Sequence, residues 1–196
     1  MTSPFDFIVK PLGDRYSNIK KIQDKELLLN TEISNHEFVN RVGVVKSVPS
    51  AFKTEIEVGD NVIVHHNVFR RMYDVKGREK NSRSFLDENN YLVQPDQVYA
   101  YKRFWQWKPV KGYCFVQPIK TDCKYSVDPE KPLTGIVFYG DEQLKKGDVI
   151  GFSPGDEYEF VIENTRLYRV MKKFITIKYE YQGDEEAYNP SWAQSS

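Results

Sequence analysis

The residues best suited to chemistry are few and scattered. His65 and His66 are adjacent at the end of a β-branched run, and His36 stands far upstream. Neighbours on a strand point to opposite faces, so this pair does not converge on one metal ion. Cys114 falls in a strand-like stretch and Cys123 in a loop-like one, with no His or Asp at a spacing that activates a thiolate. Structural or solvated roles are expected for all five. Two cysteines suit a reducing compartment and leave one disulfide open. No phosphate-binding glycine loop, dinucleotide fingerprint or H-E-x-x-H helix occurs. The expectation is a protein without enzymatic activity, cofactor or metal.

Two further stretches could bind a partner. Arg70, Arg71, Lys76, Arg78, Lys80 and Arg83 stand against Asp74 and Glu79, with Phe69, Tyr73 and Phe85 nearby. Aromatics among cations stack on single-stranded nucleic acid. The interleaved acids favour instead a solvated hairpin insertion. The whole chain agrees, because 28 Lys and Arg balance 28 Asp and Glu, which argues against nucleic acid or an anionic membrane as partner. The other stretch is Leu27-Leu28-Leu29, an apolar island between Lys25-Glu26 and Asn30-Thr31-Glu32. It is either a loop anchor folded onto its own core or a contact for a partner.

The elements that must position these residues read as strands. The 196 residues suit two small domains, and 13 Tyr and 12 Phe favour pleated structure. Ile56-Glu57-Val58-Gly59-Asp60-Asn61-Val62-Ile63-Val64 is a Gly-Asp turn feeding a β-branched strand. Leu144-Lys145-Lys146-Gly147-Asp148-Val149-Ile150-Gly151-Phe152 repeats the device. Thr134-Gly135-Ile136-Val137 echoes Val42-Gly43-Val44-Val45, Glu163-Asn164 echoes Glu88-Asn89, and Phe174 to Ile177 echoes Val98 to Tyr101. Lys108-Pro109-Val110-Lys111-Gly112-Tyr113 is matched to Lys10-Pro11-Leu12-Gly13-Asp14-Arg15. The spacing between matched residues falls along the chain, as shortened loops on a kept core would give.

The expected organisation is therefore two packed copies of one β unit, at 1–103 and 104–182, followed by a disordered tail at 183–196. A strand is expected from Asp14 to about Lys20 and a long loop at 21–41. Phe104-Trp105-Gln106-Trp107 reads as an aromatic junction between the copies. No apolar run approaches the ~18 residues of a membrane span, and Met1-Thr2-Ser3-Pro4 lacks a signal-peptide pattern, so a cytoplasmic protein is expected.

The ordered set of motifs resembles the GroES-type co-chaperonins. The match runs through Pro11, Gly13, Asp14, Arg15, Leu27 to Leu29, Gly43, Val44, Val58, Gly59, Asp60, Val62 to Val64 and Leu92. The resemblance implies an all-β chain of two tandem small β-barrels. It implies a homo-oligomeric lid for a nucleotide-bound chaperonin ring, assisting protein folding, with Leu27, Leu28 and Leu29 docking from a mobile loop. Lys25-Glu26 stands where the family carries a Gly pair, the second copy has no triplet, and only Ser47 to Ile56 occupy the place of the family's roof hairpin. The rival expectation is a structural or assembly protein, such as a viral or phage particle component, that reuses the barrel.

Overall fold

The computed structural model describes residues 1–16, 19–22, 25–28, 39–122, 128–155, 157–180 and 185–195, with backbone alone at 19–22, 25–28 and 195. Among these residues the chain is all-β apart from short 3-10 turns. It divides into two compact units, Met1–Gln106 and Trp107–Ser196.

The first unit contains β1 (Phe7–Pro11), β2 (Ile19–Ile22), β3 (Lys25–Leu28), β4 (Val42–Ser47), β5 (Asn61–Val64), β6 (Arg71–Tyr73), β7 (Glu79–Asn81), β8 (Phe85–Asp87), β9 (Asn90–Val93) and β10 (Val98–Arg103). β11 (Gln106–Pro109) follows. The main sheet runs β10-β5-β4-β1-β9-β8, and β2-β3 and β6-β7 are separate two-stranded sheets. The second unit contains β12 (Tyr113–Lys120), β13 (Glu130–Tyr139), β14 (Val149–Phe152), β15 (Tyr158–Ile162), β16 (Thr165–Met171) and β17 (Ile175–Tyr179). Its sheet runs β17-β14-β13-β12-β16-β15.

These two orders are the same topology. Pro11 faces Gly43 and Val9 faces Val45, while Pro118 faces Gly135 and Val116 faces Val137. Val9 also faces Tyr91 and Val116 faces Tyr168. Val62 lies between Gly43 and Tyr101, and Ile150 lies between Gly135 and Lys178. Even a bulge is shared, after Ile8 in β1 and after Phe115 in β12. A bulge re-aims the strand that carries it, so its recurrence at one position marks a common frame.

The Gly-Asp turns match to the atom. The Gly59 and Gly147 amides donate to the Val45 and Val137 carbonyls at 2.9 and 2.8 Å. The Asp60 and Asp148 carboxylates accept from the Glu57 and Lys145 amides at 2.9 and 2.8 Å. Gly59 and Gly147 have φ of 96° and 95°, a left-handed conformation that glycine adopts without penalty.

Alternating apolar residues put one face of each sheet into a core. Val9, Val45, Val62, Val64, Phe69, Tyr91 and Val93 are buried in the first unit. Cys114, Val116, Val137, Ile150, Phe152 and Val170 form the counterpart in the second. A Cβ on Gly43 would stand 2.4 Å from Val9 Cγ1 and 2.8 Å from the Lys10 carbonyl oxygen. At Gly135 the corresponding distances are 2.8 Å to Val116 Cγ2 and 3.0 Å to the Gln117 oxygen. Both glycines let one strand cross close over its neighbour.

Several expectations change. The sheets are open, since β8 does not pair with β10, nor β15 with β17. The edge strand β8 has three residues and meets β9 at only two positions, too little to carry hydrogen bonding round a barrel. The first strand starts at Phe7 instead of Asp14, because its β-branched alternation begins there. The long loop expected from residue 21 holds a hairpin, with Ile19 opposite Leu28 and Ile22 opposite Lys25. The proline of the first repeat aligns with Pro118 and not Pro109, and Val98 aligns with Ile175 and not Phe174. The lysine before each proline misled the first match, and a β-bulge displaced the second.

The tail is likewise folded onto the second unit over its described part. Lys120 and Tyr188 amides donate to the Glu186 and Pro118 carbonyls at 2.8 Å each. Asn189 Oδ1 accepts from the Arg166 amide at 3.0 Å, and Ala193 is buried. Polar, proline-containing composition reads as disorder, yet its carbonyls and amides satisfy the free side of β12.

Candidate functional site

The residues expected to bind a partner fall on an appended hairpin. Leu27 lies opposite Lys20 and Leu28 opposite Ile19 on β3. Leu29 and the remainder of the expected loop, His36 included, lie outside the described residues. Leu27 and Leu28 therefore sit at the end of the hairpin away from the Ile22–Lys25 pair. Ile-Lys-Lys-Ile carries apolar ends around two lysines and Lys-Glu-Leu-Leu passes from charged to apolar, and the register sets Leu28 opposite Ile19.

The basic segment is the second hairpin, β6 with β7. Two of its cations are held by its own acids. Arg71 pairs with Glu79 at 3.1 Å, and Asp74 accepts from Arg78 Nε at 3.1 Å. Amides of Lys76 and Arg78 also donate to Asp74, which lowers its carboxyl below the usual value. Arg15 anchors the hairpin base, donating to the Phe69 carbonyl and to Asn81 Oδ1. Arg71 and Arg78 are thus occupied within the hairpin, though the segment as a whole carries six cations against two acids.

His65 and His66 lie past the end of β5, and their rings stack with centroids 4.2 Å apart. They do not face opposite ways, because the strand on which alternation was expected stops at Val64. His65 Nδ1 accepts from the Asn67 amide at 3.1 Å. Among the described residues no group of three or more His, Cys, Asp or Glu could hold a metal ion. Cys114 is buried in the second core, where burial pushes its thiol up to about 12. Such a thiol is inert as a nucleophile at neutral pH. Cys123 lies outside the described residues.

Two features were not expected as sites, although the first lies in the stretch read as an aromatic junction. One is the turn between β10 and β11. Phe104 and Trp105 are its two central residues, with φ of 49° and 69°. Left-handed backbone at both positions is normally left to Asn and Gly. Both rings nevertheless stand in solvent, 89% and 91% exposed. Behind them Arg103 is clamped by Asp60 at 2.8 Å and Glu57 at 3.2 Å, which fixes the strand end that carries the turn.

The other is a cleft of about 170 Å³ in the second unit, lined by Pro118, Glu130, Leu133, Thr134, Phe152 and Tyr168 among others. Its wall is a polar network. Tyr168 Oη donates to Glu130 at 2.8 Å, and Arg166 donates to Glu130 at 2.7 Å and to Glu159 at 2.8 Å. Burial raises the Tyr168 hydroxyl, and its hydrogen bond to Glu130 raises it further. The phenol therefore stays a donor at neutral pH.

The equivalent place in the first unit is filled. Phe69 meets Tyr91 edge-on at 4.9 Å, and its Cζ would lie 3.1 Å from a Cβ on Gly43. Tyr91 and Tyr168 share a register, as do Pro11 and Pro118. In the second unit Phe152 lines the cleft together with Tyr168, and Tyr168 packs on the core cluster to which Phe152 belongs. The exposed turn had a sequence signal, since Phe104-Trp105 lies between two alternating runs with a two-residue gap. The cleft had none, because its walls come from residues far apart in the chain.

No protein-family model matches the chain. No curated protein matches its sequence. No helix among the described residues is long and apolar enough to cross a membrane.

Proposed function

We propose that this chain is a non-enzymatic, co-chaperonin-like protein that caps a nucleotide-bound chaperonin ring and assists protein folding. The observation that carries this reading is the β2–β3 hairpin. It is a separate sheet, inserted between β1 and β4, and it bears Leu27 and Leu28 with Leu29 just beyond. Among the described residues no strand pair stands between β12 and β13. The first unit thus carries a docking arm, and the second serves as body. A hairpin loses less freedom on docking than an unstructured loop, so each contact is firmer. Several arms on one homo-oligomer add through effective concentration to a releasable grip.

The test is co-sedimentation with a chaperonin, with and without ATP, beside a variant with Leu27→Ser, Leu28→Ser and Leu29→Ser. ATP-dependent binding that the variant loses is expected. Absence of binding in every nucleotide state, with the protein folded, overturns the reading for that chaperonin. A second reading, an assembly or particle-forming protein built on the same GroES-like units, is favoured by the exposed Phe104–Trp105 turn. It predicts association that is indifferent to nucleotide and to the leucines.

A further inference from the structure

We infer that the β6–β7 hairpin is an arm that docks on an anionic lipid surface, with Met72 and Val75 entering the interface and Lys76 and Lys80 meeting the headgroups. The inference is independent of chaperonin binding. It begins from the internal duplication. By their places in the two sheets, β5 corresponds to β14 and β8 to β15. Residues 65–84 separate the first pair of strands, and only 153–157 separate the second. The hairpin is therefore an addition to the shared frame, and it forms a sheet of its own instead of extending the main one.

The arm is stiff. Its base is fastened by Arg15, which donates to Asn81, and by the Tyr16 hydroxyl, which accepts from the Arg71 amide at 2.6 Å. Its tip is a closed turn. The Asp74 carboxylate accepts from the Lys76 and Arg78 amides at 2.9 Å each, and the Gly77 amide donates to the Asp74 carbonyl at 2.9 Å. Gly77 supplies the left-handed residue of this turn, with φ of 73°. The turn holds Val75 wholly in solvent. Met72 stands opposite Lys80, so the two share a face, and both are exposed. Stiff presentation lowers the entropy lost on docking.

Charge selects the partner. The chain as a whole is neutral, but the excess here is local, six cations against two acids. Glu79 and Asp74 hold Arg71 and Arg78. Among the described residues Arg70, Lys76, Lys80 and Arg83 have no acidic partner, and the last three are exposed. Apolar side chains on a basic arm suit a lipid surface, where they enter the interface while the cations stay at headgroup level. Each such cation strengthens binding to an anionic surface by about fivefold. A nucleic-acid strand would instead need exposed rings to stack on. Of the three aromatics in and beside the segment, Phe69 is buried and Phe85 lies under the Arg15 guanidinium, which leaves Tyr73 exposed.

Flotation of the full chain with lipid vesicles tests this. Vesicles of phosphatidylcholine mixed with phosphatidylserine are expected to carry the chain upward, and vesicles of phosphatidylcholine alone to leave it behind. Added salt is expected to weaken the binding, because exposed charges are screened. Lys76→Gln with Lys80→Gln is expected to bind about 25-fold more weakly, two cations at about fivefold each. Met72→Ser with Val75→Ser keeps every charge and is expected to lose about tenfold or more. All four side chains are exposed and Asp74 and Gly77 are kept, so the turn is retained, which near-ultraviolet circular dichroism checks. Val75→Trp reads the depth of the tip. Its added emission is expected to shift to the blue on the anionic vesicles and to be quenched by lipids brominated in their chains. Failure of the natural chain to bind anionic vesicles overturns the inference. Binding that ignores the Met72 and Val75 changes, or a tip tryptophan that stays unquenched, overturns it too, because charge alone then suffices. Tighter capture by a single-stranded oligonucleotide or an acidic peptide than by the vesicles overturns it equally.

Discussion

Tyr91 and Tyr168 occupy one register in two units, opposite Val9 and Val116, yet their surroundings differ. The Tyr91 hydroxyl is buried without a hydrogen-bond partner among the described residues, beneath the guanidinium of Arg15 at 5.4 Å from its ring. The Tyr168 hydroxyl donates to Glu130 and accepts from Arg166 at 2.5 Å. One repeat has put an aromatic plug over its tyrosine, and the other an ionic network. This divergence on a shared frame locates where the copies do different things.

Phe69→Ala should remove the plug. The ring is fully buried, so the first unit should lose about 3–5 kcal/mol in urea unfolding. Addition of a small aromatic such as indole should recover part of that loss in proportion to its concentration. No recovery would mean that the site collapses and is not a mould for a ring.

Gly43→Ala and Gly135→Ala should both destabilise, by about 1–3 kcal/mol, because each new methyl meets a valine and a carbonyl across the strand pair. Gly43→Ala should cost more, since its closest approach is 2.4 Å against 2.8 Å. Denaturant midpoints of the two variants measure the ranking, and the reverse order would contradict the matched registers.

Asp148 should make the second unit acid-sensitive. Burial raises its carboxyl, but the Lys178 ammonium at 2.6 Å and the Lys145 amide outweigh that and leave it below 3.8. A depressed folded value contributes stability that is present above the unfolded value and disappears as pH falls through the folded one. Asp148→Asn should therefore be less stable than the natural chain at pH 7, and the gap should close toward pH 2. Urea midpoints at several pH values check this, and a gap independent of pH would exclude the charge as its source.

Cys114 should be silent toward thiol reagents in the folded chain. Its side chain is fully buried and its thiol lies near 12, so thiolate and access are both lacking. In a Cys123→Ser background, a chromogenic disulfide should label less than a tenth of the protein until denaturant is added. Rapid labelling without denaturant would mean that β12 opens readily.

The repeat was legible because its signals are local. Gly59-Asp60 and Gly147-Asp148 require left-handed glycine and a turn-bonding carboxylate, and sequence carries both requirements openly. Gly43 and Gly135 were legible as strand glycines for a similar reason. Pro109 misled because Lys-Pro recurs by composition, whereas the true partner of Pro11 is defined by the strand across from it, Gly135 facing Pro118. Residues 19–28 misled because a short charged hairpin has the composition of a loop. The tail misled because its order comes from β12 and Arg166, which lie far away in sequence. The cleft could not be read at all, since Pro118, Glu130, Phe152 and Tyr168 meet there only through the fold.

The shared registers also bear on how the chain is born. β1 needs β9 across from it, so the first unit stays incomplete on the ribosome until residues near Val93 emerge. By then β12 follows closely, and it offers β4 and β9 nearly the same pattern of valines and proline that β1 does. Two interchangeable strands on one nascent chain create a kinetic trap in which the wrong copy pairs. Vectorial synthesis favours the correct outcome, because β1 is available first. The Arg103–Asp60 clamp then locks the first sheet before Lys178 can reach Asp148 in the second. Refolding from denaturant has no such order of arrival, and the chain should regain its native state more slowly and less completely there than during synthesis.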